Sequence, residues 1–521
     1  MKKSSLTMLL VIPLLLVGCG KKGGDKEPKA PFAVPVVDIE HLEINLPTMP
    51  TFDTSSACKK DGDYDVIDLY EMSDMHAMID FNDSKGYYGF SGLANFMKEK
   101  RQANPGTILI SSGDMWQGGS ESNLTRGKVV AECMRYVGFE SMSLGNHEFD
   151  WGEAVIEHNS GYFTAEMPLL AGNLVDKRSN ARPTFLKPSR VIERGGYKIG
   201  VVGTIGDIEY SIAKSAFANF QLTSSSEFAT SESARLRNEE HCDIVVWTSH
   251  EEATDSMVIP AGVDVIFGGH THEDVNKSAM NTTLGHSVPI LETQNYGQSI
   301  AHAQLKINPS TKAVVEATGE NIRAENNKSY LVDEASVKGL IDQYKAATAV
   351  VKQYELNKVS GKFGAQIELA NLSCKAMFDM YNDGTFFCAL QNGTGGVRSD
   401  IDEGMVTYGD IYTAFPFDNE IVTFEVSGNK LRDFFEKSGV RGCNKYVAET
   451  SFSKVDKTKT YKIVTTDFVC TNKLNMSEGS FTPLAGTVIR DAVAEYIYNT
   501  SGLKAANFGS DKANYQAPTN A

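Results

Sequence analysis

Residues 145–150 read Gly-Asn-His-Glu-Phe-Asp, and they directly follow the short apolar run Ser141–Leu144. Four other apolar runs also lead into residue types that can ligate a metal ion. Those four segments are Ser73-Asp74-Met75-His76, Gly113-Asp114, Ser249-His250 and Gly268-Gly269-His270-Thr271-His272. The same arrangement therefore recurs five times, and it indicates both the fold and the chemistry.

The apolar runs predict an α/β fold for residues 64–322. Each run has the length of a buried strand, and helical patterns separate the runs. The predicted strands are Val66–Met72, Thr107–Ser111, Ser141–Leu144, Lys198–Gly203, Asp243–Thr248 and Asp264–Phe267. Ligands of α/β sheets collect at the carboxyl ends of the strands. We therefore expect the five polar segments to meet at one site.

The residue types in these segments suit two divalent metal ions. Carboxylate, amide and imidazole groups bind Zn²⁺, Mn²⁺, Co²⁺ or similar ions, and the sequence does not decide among them. One carboxylate has to bridge two ions that lie about 3.5–4 Å apart, and Asp114 is the candidate for that bridge. The predicted metal ligands are Asp74, His76, Asp114, Asn146, His250, His270 and His272.

Taken together, the five segments resemble the signature of the calcineurin-like metallophosphoesterases. The stretch at 145–150 resembles the 5′-nucleotidase branch, which includes periplasmic UDP-sugar hydrolases and 2′,3′-cyclic-nucleotide phosphodiesterases. Two stretches of the second half, 392–398 (Asn-Gly-Thr-Gly-Gly-Val-Arg) and 414–419 (Ala-Phe-Pro-Phe-Asp-Asn), resemble the C-terminal substrate domain of that branch. The resemblance covers roughly residues 64–515.

The resemblance implies an α/β fold. It is a four-layer metallophosphoesterase sandwich, with two mixed β-sheets flanked by helices, followed by a smaller α+β substrate-binding domain. The predicted organisation is a signal peptide at 1–19, a flexible tether at 20–62, the metallophosphoesterase domain at 63–325, a connector helix at 326–357 and the substrate-binding domain at 358–521.

The resemblance also implies a role for each site residue. One metal would be held by Asp74, His76, Asp114 and His272, and the other by Asp114, Asn146, His250 and His270. His147 would contact the scissile phosphate and would be oriented by Asp150. The substrate-binding residues would be Asn392, Arg398, Phe417 and Phe468, with Arg398 on the phosphate and the two phenylalanines on either side of a nucleobase.

The chemistry of such a site agrees with these roles. A water shared by two cations loses a proton near neutral pH and attacks phosphorus in line. The sequence therefore predicts an exported dinuclear-metal phosphohydrolase that acts on nucleotide phosphate esters through a metal-bridging hydroxide. Hydrolysis of UDP-sugars, cyclic nucleotides or other phosphorylated metabolites stays open. An alternative of another class is a non-catalytic lipoprotein that binds ligands at the cell surface.

The second half departs from the family pattern in the residues that handle substrate. Family members carry further phosphate-binding arginines around residues 361–372, where this chain has none. Lys362 and Lys375 are candidates to replace them, although a lysine offers no bidentate fork. The Gly-Gly-Asp-Gly turn expected after Phe468 is also missing, and Ser477–Phe481 is a candidate replacement.

The N-terminus resembles a bacterial lipoprotein signal. Lys2 and Lys3 precede the apolar run Leu6–Val17, which is too short to span a bilayer comfortably. Cys19 follows and would be lipidated, and Gly20 stands where an aspartate commonly retains lipoproteins at the inner membrane. We expect an exported protein that a lipid anchors to a membrane, in the outer membrane or at the cell surface or periplasmic face.

The charge balance limits the choice of partners. With 50 basic and 66 acidic residues, the formal net charge is −16. Binding of a nucleic-acid polymer requires a broad basic face, so no such partner is expected. A nucleotide or another phosphorylated small molecule remains compatible, because a bound metal can dominate the local field.

Overall fold

The structure is a computed structural model of the chain. It describes residues 30–39, 41–254, 257–393, 395–431, 443–447, 455–474, 476 and 480–509. Cys19 and the predicted signal peptide lie outside these residues. Among the helices that are described, none combines the length and the apolar character needed to cross a membrane.

Two mixed β-sheets form the centre of the first domain. In spatial order, the first sheet contains Lys60–Asp61, Tyr64–Glu71, Ser299–Ile307 and Val314–Arg323, with Thr107–Ile110 pairing in parallel to Tyr64–Glu71. The second sheet contains Val275–Asn281, His286–Glu292, Val265–Phe267, Ile244–His250, Tyr197–Ile205 and Ser189–Arg194. Its inner four strands are parallel and its two edge strands are antiparallel. Two short ladders pair Met142–Ser143 with Leu169–Leu170, and Leu174–Asp176 with Phe220–Leu222.

The sheets pack face to face, and helices cover their outer faces. Ile67 of the first sheet and Val246 of the second belong to one shared apolar core. Outside the first sheet, the Tyr70 ring lies edge-on to Phe96, with ring centroids 5.6 Å apart. The α-helices of this domain are Gly89–Ala103, Ser120–Leu124, Lys128–Val137, Glu153–Ser160, Lys214–Phe217 and Ser225–Asn238. The predicted four-layer sandwich is therefore confirmed.

All six predicted strands form, and their burial explains why they could be predicted. Every residue of Ile244–His250 is buried, because helices cover one face of its sheet and the other sheet covers the opposite face. Strands buried on both faces appear in a sequence as continuous apolar runs instead of alternating patterns. The shortest of the six is Met142–Ser143, where the chain leaves the sheet for the turn at 145–150.

The second domain is smaller and of the α+β type, as predicted. Its larger sheet contains, in spatial order, Cys443–Val447, Phe386–Asn392, Thr460–Thr466, Glu420–Ser427 and Phe481–Val488. Its smaller sheet contains Gly404–Thr407, Glu355–Ser360 and Leu503–Lys504. The helices are Ala370–Tyr381, Tyr408–Ala414 and Ile489–Asn499, with π-helical turns at Ala365–Leu369 and Val469–Lys473.

The helix Ala335–Lys352 joins the two domains. Its residue Tyr344 packs into the first domain's core, whereas Val351 packs into the core of the second. The connector predicted at 326–357 is too long at its C-terminal end. The first strand of the second domain already begins at Glu355 and pairs with Gly404–Thr407, so the boundary predicted at 358 falls inside that strand.

The described part of the predicted tether at 20–62 packs on both domains, which corrects the expectation of a flexible segment. Phe32 contacts the rings of Tyr354 and Tyr498 in the second domain, at centroid distances of 6.0 and 5.7 Å. Leu42 and Ile44 pack against the core of the first domain. The composition of the segment indicated a linker, but its apolar residues pack against parts of the chain that are distant in sequence.

Candidate metal centre and interdomain cleft

Turns at the ends of five strands bring the seven predicted metal ligands together. The strands Tyr64–Glu71, Thr107–Ile110, Met142–Ser143 and Val265–Phe267 are each followed by one of these turns, and His250 ends its own strand. Three groups have ligand atoms that all lie within 4.8 Å of one another. These groups are Asp74–His76–His272, His76–Asp114–His147 and Asp114–His250–His270. Asp114 belongs to two of them, which suits a bridging carboxylate.

The first group is built around His76 and His272. Their Nε2 atoms lie 3.1 Å apart, and Asp74 Oδ1 lies 3.4 Å from His272 Nε2. His76 Nδ1 lies 3.1 Å from the carbonyl oxygen of Gln117. Because a carbonyl can only accept, Nδ1 carries the proton and the lone pair of Nε2 faces the site.

The group of Asp114, His250 and His270 shows whether a metal ion fits. His250 Nδ1 donates to the carbonyl oxygen of Ser112 at 2.9 Å, so the Nε2 lone pair of the neutral ring faces Asp114 Oδ2 at 3.1 Å. His250 Nε2 is buried without a hydrogen-bond partner among the described residues. With the ring neutral, two acceptors at that distance require a positive charge between them, which either a proton or a metal ion can supply. Neighbouring ligands of one ion lie roughly 3–3.5 Å apart, because each metal–ligand distance is about 2.0–2.2 Å.

Asn146 lies beside the group of Asp114, His250 and His270. Its Oδ1 lies 2.8 Å from His270 Nδ1, so oxygen and imidazole ligands alternate around the same space. The residues present therefore fit divalent cations.

Burial and neighbouring charges have opposite effects on the pKa values of several of these groups. Burial would raise the pKa of Asp114, but His250 and His147 outweigh it and hold that pKa well below its usual range. Burial would lower the pKa of His250, but Asp114 and Asp74 raise it to about 10. Burial, with His250 nearby, lowers the pKa of His270 to about 4. Without a cation, His250 thus holds the proton that balances the carboxylates, and a metal ion bound there would supply that charge instead.

The backbone is strained at most of the predicted ligands. Left-handed φ angles occur at 50° for Asp74, 46° for His76, 53° for Asp114, 82° for His270 and 65° for His272. Residues with a side chain rarely adopt this region, and such strain clusters at functional sites. The strain turns each side chain back toward the centre immediately after its strand ends.

Two buried glutamates hold the ligand turns, and the sequence did not reveal their roles. Glu148 accepts hydrogen bonds from four backbone N–H groups, those of Asp114, Met115, Trp116 and Gly145, at 2.7–3.2 Å. Glu292 accepts from the N–H and hydroxyl of Thr271, between His270 and His272. Glu148 was visible as part of 145–150, but no pattern could assign its partners.

His147 lies between the metal centre and the second domain. Its Nδ1 donates to Asp150 Oδ2 at 2.8 Å, and its Nε2 accepts from Arg398 Nη2 at 3.2 Å. Its ring stacks on that of Phe417, with centroids 5.5 Å apart and an interplanar angle of 26°. Burial would lower the pKa of His147, but Asp150 and Asp114 outweigh it and raise that pKa. The pairing with Asp150 fixes the ring so that Nε2 points into the cleft.

A cleft of about 240 Å³ separates the metal centre from the second domain. The lining includes all four predicted substrate residues, namely Asn392, Arg398, Phe417 and Phe468. Lys362 and Lys375 do not line it, because they pair with Asp400 at 2.9 Å and with Asp379 at 2.5 Å. The lysine that does line it is Lys473, which the sequence analysis missed; its Nζ lies 5.8 Å from the centroid of Phe468.

Comparison with known proteins agrees with the two-domain arrangement. Residues 69–274 match the calcineurin-like phosphoesterase family, and residues 346–450 match the 5′-nucleotidase C-terminal domain. An apyrase from Tabanus yao is 26% identical over 424 residues, which cover 71% of this chain and 73% of the relative. Protein UshA of Yersinia enterocolitica is 25% identical over 455 residues, covering 77% and 78%. The crystal structure of a 5′-nucleotidase precursor from Thermus thermophilus has a TM-score of 0.69 at 18% identity, covering 83% of this chain and 96% of that one.

The chain belongs to the calcineurin-like phosphoesterases that carry a 5′-nucleotidase C-terminal domain. It is a metal-dependent phosphoric ester hydrolase. Within that class, its curated relatives carry the names 5′-nucleotidase, UshA and apyrase.

The close approach of Gly145 to Asp114 gives a test of the metal centre. A Cβ on Gly145 would lie 2.1 Å from Asp114 Oδ1, so Gly145→Ala must push the carboxylate out of place. We expect metal affinity to fall roughly 10- to 100-fold, as for other changes that misplace a ligand. Metal titration followed by elemental analysis measures this effect. The control is Gly339→Ala on the connector helix, where no atom lies within 4 Å of the new Cβ; equal metal binding by both variants would contradict the assignment.

Proposed function

We propose that this protein is an exported enzyme that hydrolyses nucleotide phosphate esters with two divalent cations. One observation carries the proposal: the Asp114 carboxylate is shared by two groups of ligand atoms, and His147 and Arg398 stand beside it. A nucleotide is the favoured substrate because two aromatic rings of the second domain line the same cleft.

Seven side chains would hold the two cations. Asp74, His76, Asp114 and His272 would hold one, and Asp114, Asn146, His250 and His270 the other. Cations bound there would supply an activated water and neutralise the phosphoryl oxygens. The carbonyl groups of Gln117 and Ser112 keep His76 and His250 in the tautomer whose Nε2 is free to ligate.

His147 and Arg398 would act on the phosphate itself. Asp150 holds the His147 ring, and the ring's Nε2 and Nη2 of Arg398 lie 3.2 Å apart in the lining of the cleft. Both groups can donate hydrogen bonds to a phosphoryl oxygen that gains charge in the transition state, and a protonated His147 can protonate the leaving oxygen.

His147→Ala separates catalysis from metal binding. This variant should keep two equivalents of metal per chain while kcat falls roughly 10²–10⁴-fold, as expected for loss of an acid or charge stabiliser. Elemental analysis and steady-state kinetics with Mn²⁺, Co²⁺ or Zn²⁺ measure the two quantities. Asp114→Asn is the comparison, because removal of the bridge should lower metal content as well as activity. A His147→Ala protein that loses its metal would make His147 a ligand and overturn its proposed role.

The second domain would select the organic part of the substrate. Phe417 and Phe468 both line the cleft, and stacking of a base on an aromatic ring contributes about 1–3 kcal/mol. UDP-sugars and cyclic nucleotides also contain a base, so the same rings could serve those alternatives. Comparison of a nucleoside monophosphate, a UDP-sugar and a cyclic nucleotide with the wild-type protein decides among the three.

Phe417→Ala tests the base platform. We expect kcat/KM for a nucleotide to fall roughly 5- to 100-fold, in line with the stacking energy, whereas kcat/KM for a small aryl phosphate stays within about twofold. Arg398→Ala should instead impair both substrates, because each contains the phosphate. Equal losses for the nucleotide and the aryl phosphate in Phe417→Ala would show that the ring is no base platform.

The proposed location rests on the sequence alone. A lipid on Cys19 would anchor the mature protein to a membrane, with Ala30 as the first described residue beyond it.

Cys19→Ser tests that anchor. The substitution removes the only thiol that the signal offers for lipidation, so the protein should move from the membrane fraction to the soluble exported fraction. Cell fractionation with immunodetection measures the shift, and Cys58→Ser is the control because that thiol is buried in the folded domain. Retention of the Cys19→Ser protein in the membrane would argue against a lipoprotein.

A further inference from the structure

The loop that carries Phe417 is attached to the metal-binding domain on both sides of the ring. Just before it, the Pro416 carbonyl oxygen accepts a hydrogen bond from Asn123 Nδ2 at 3.2 Å. Just after it, Asp418 Oδ2 accepts one from Arg126 Nη1 at 2.6 Å. Both donors lie in or beside the short helix Ser120–Leu124 of the first domain.

Asp418 also joins this contact to the core of its own domain. Its Oδ1 accepts from Arg490 Nη2 at 2.6 Å, and Arg490 is buried with its guanidinium 3.8 Å from the Tyr412 ring centroid. Burial would raise the pKa of Asp418, but Arg490 and Arg126 outweigh it and lower that pKa to about 2. One carboxylate therefore bridges the two domains between two arginines.

Arg126 is held in place for this contact. Its backbone has a left-handed φ of 50°, and its carbonyl oxygen accepts from Asn159 Nδ2 at 2.7 Å. Its guanidinium lies 5.6 Å from the Trp151 ring centroid. A side chain ordered in advance loses less conformational freedom when it makes an ion pair. The pair is also about three-quarters shielded from solvent, so water screens it less than an exposed pair.

We propose that Arg126 is a positioning residue of the metal-binding domain, which fixes the Phe417 ring against His147 by holding Asp418. This inference rests on the proposed nucleotide hydrolysis, because it assigns Arg126 to the placement of the base platform. Arg126 acts through Phe417, and it is not one of the residues predicted to bind metal or phosphate. Asn123 supports the same loop from its other side.

The test is a kinetic cycle on the full chain with Arg126→Ala, Phe417→Ala and the double variant. With a nucleoside monophosphate, Arg126→Ala should raise KM roughly 5- to 10-fold, as expected for loss of a shielded charge-assisted hydrogen bond. KM for an aryl phosphate should stay within about twofold. In the Phe417→Ala background, Arg126→Ala should add less than about twofold, because residues that act as a unit are not additive.

Two further variants guard against a purely structural effect. Arg126→Gln keeps most of the side-chain stem beside Trp151 and should reproduce the KM effect if Arg126→Ala proves unstable. Arg178→Ala removes a surface arginine that pairs with Asp176 and Glu153 inside the first domain, and it should leave both substrates unaffected.

The outcomes distinguish this inference from the proposed function. Nucleotide hydrolysis that depends on Phe417 but not on Arg126, or full additivity in the cycle, overturns the positioning role alone. Equal effects of Arg126→Ala on the nucleotide and the aryl phosphate also overturn it. Nucleotide hydrolysis that does not depend on Phe417 removes the base platform, and the inference fails with it.

Discussion

The structure depends on several carboxylate and imidazole groups whose lone pairs are packed together in one buried space. The carboxylate of Asp114 faces Nε2 of His250 at 3.1 Å, and two further imidazole Nε2 atoms face each other at the same distance. A protein interior does not tolerate such an arrangement without compensating positive charge. Protons can supply part of that charge, but the backbone carbonyls behind His76 and His250 fix both rings as ligands. The site is thus organised for cations before any cation arrives.

Much of the surrounding fold serves to hold these carboxylate and imidazole groups in place. Five strand ends supply the side chains, and left-handed backbone at five ligands turns them inward. Glu148 collects four N–H groups from two ligand turns, so one buried carboxylate joins the turn of Asp114 to that of Asn146. Residues of this kind explain why a site drawn from distant segments can be rigid. A ligand displaced by even about 1 Å would no longer share an ion with its neighbours.

The parts of the structure that could be predicted share one property: their burial can be inferred from the residues of one short segment. Strands such as Ile244–His250 are buried on both faces, so they appear in the sequence as continuous apolar runs. Residue types at the strand ends, taken with the resemblance to a known family, predicted seven ligands, and the structure brings their side chains together. The parts that failed depend on neighbours in space. Lys362 and Lys375 had the right charge, but Asp400 and Asp379 hold them elsewhere, while Lys473 reaches the cleft from a turn that matched no pattern. The apolar residues Phe32 and Leu42 looked incidental in a polar segment, because their partners lie far along the chain.

The order of strands in the first sheet has a consequence for biosynthesis. Tyr64–Glu71 leads into the turn with Asp74 and His76, yet one of its two main neighbours is Ser299–Ile307, which is nearly the last strand of the domain to leave the ribosome. Pairings between distant segments form slowly, and until they form, strand edges stay open to association with other chains. The nascent chain must therefore stay unfinished, and without its metal centre, until almost the whole first domain has been translated. A cell that makes this protein has to keep the open edge of Tyr64–Glu71 from pairing with other chains until Ser299–Ile307 is available.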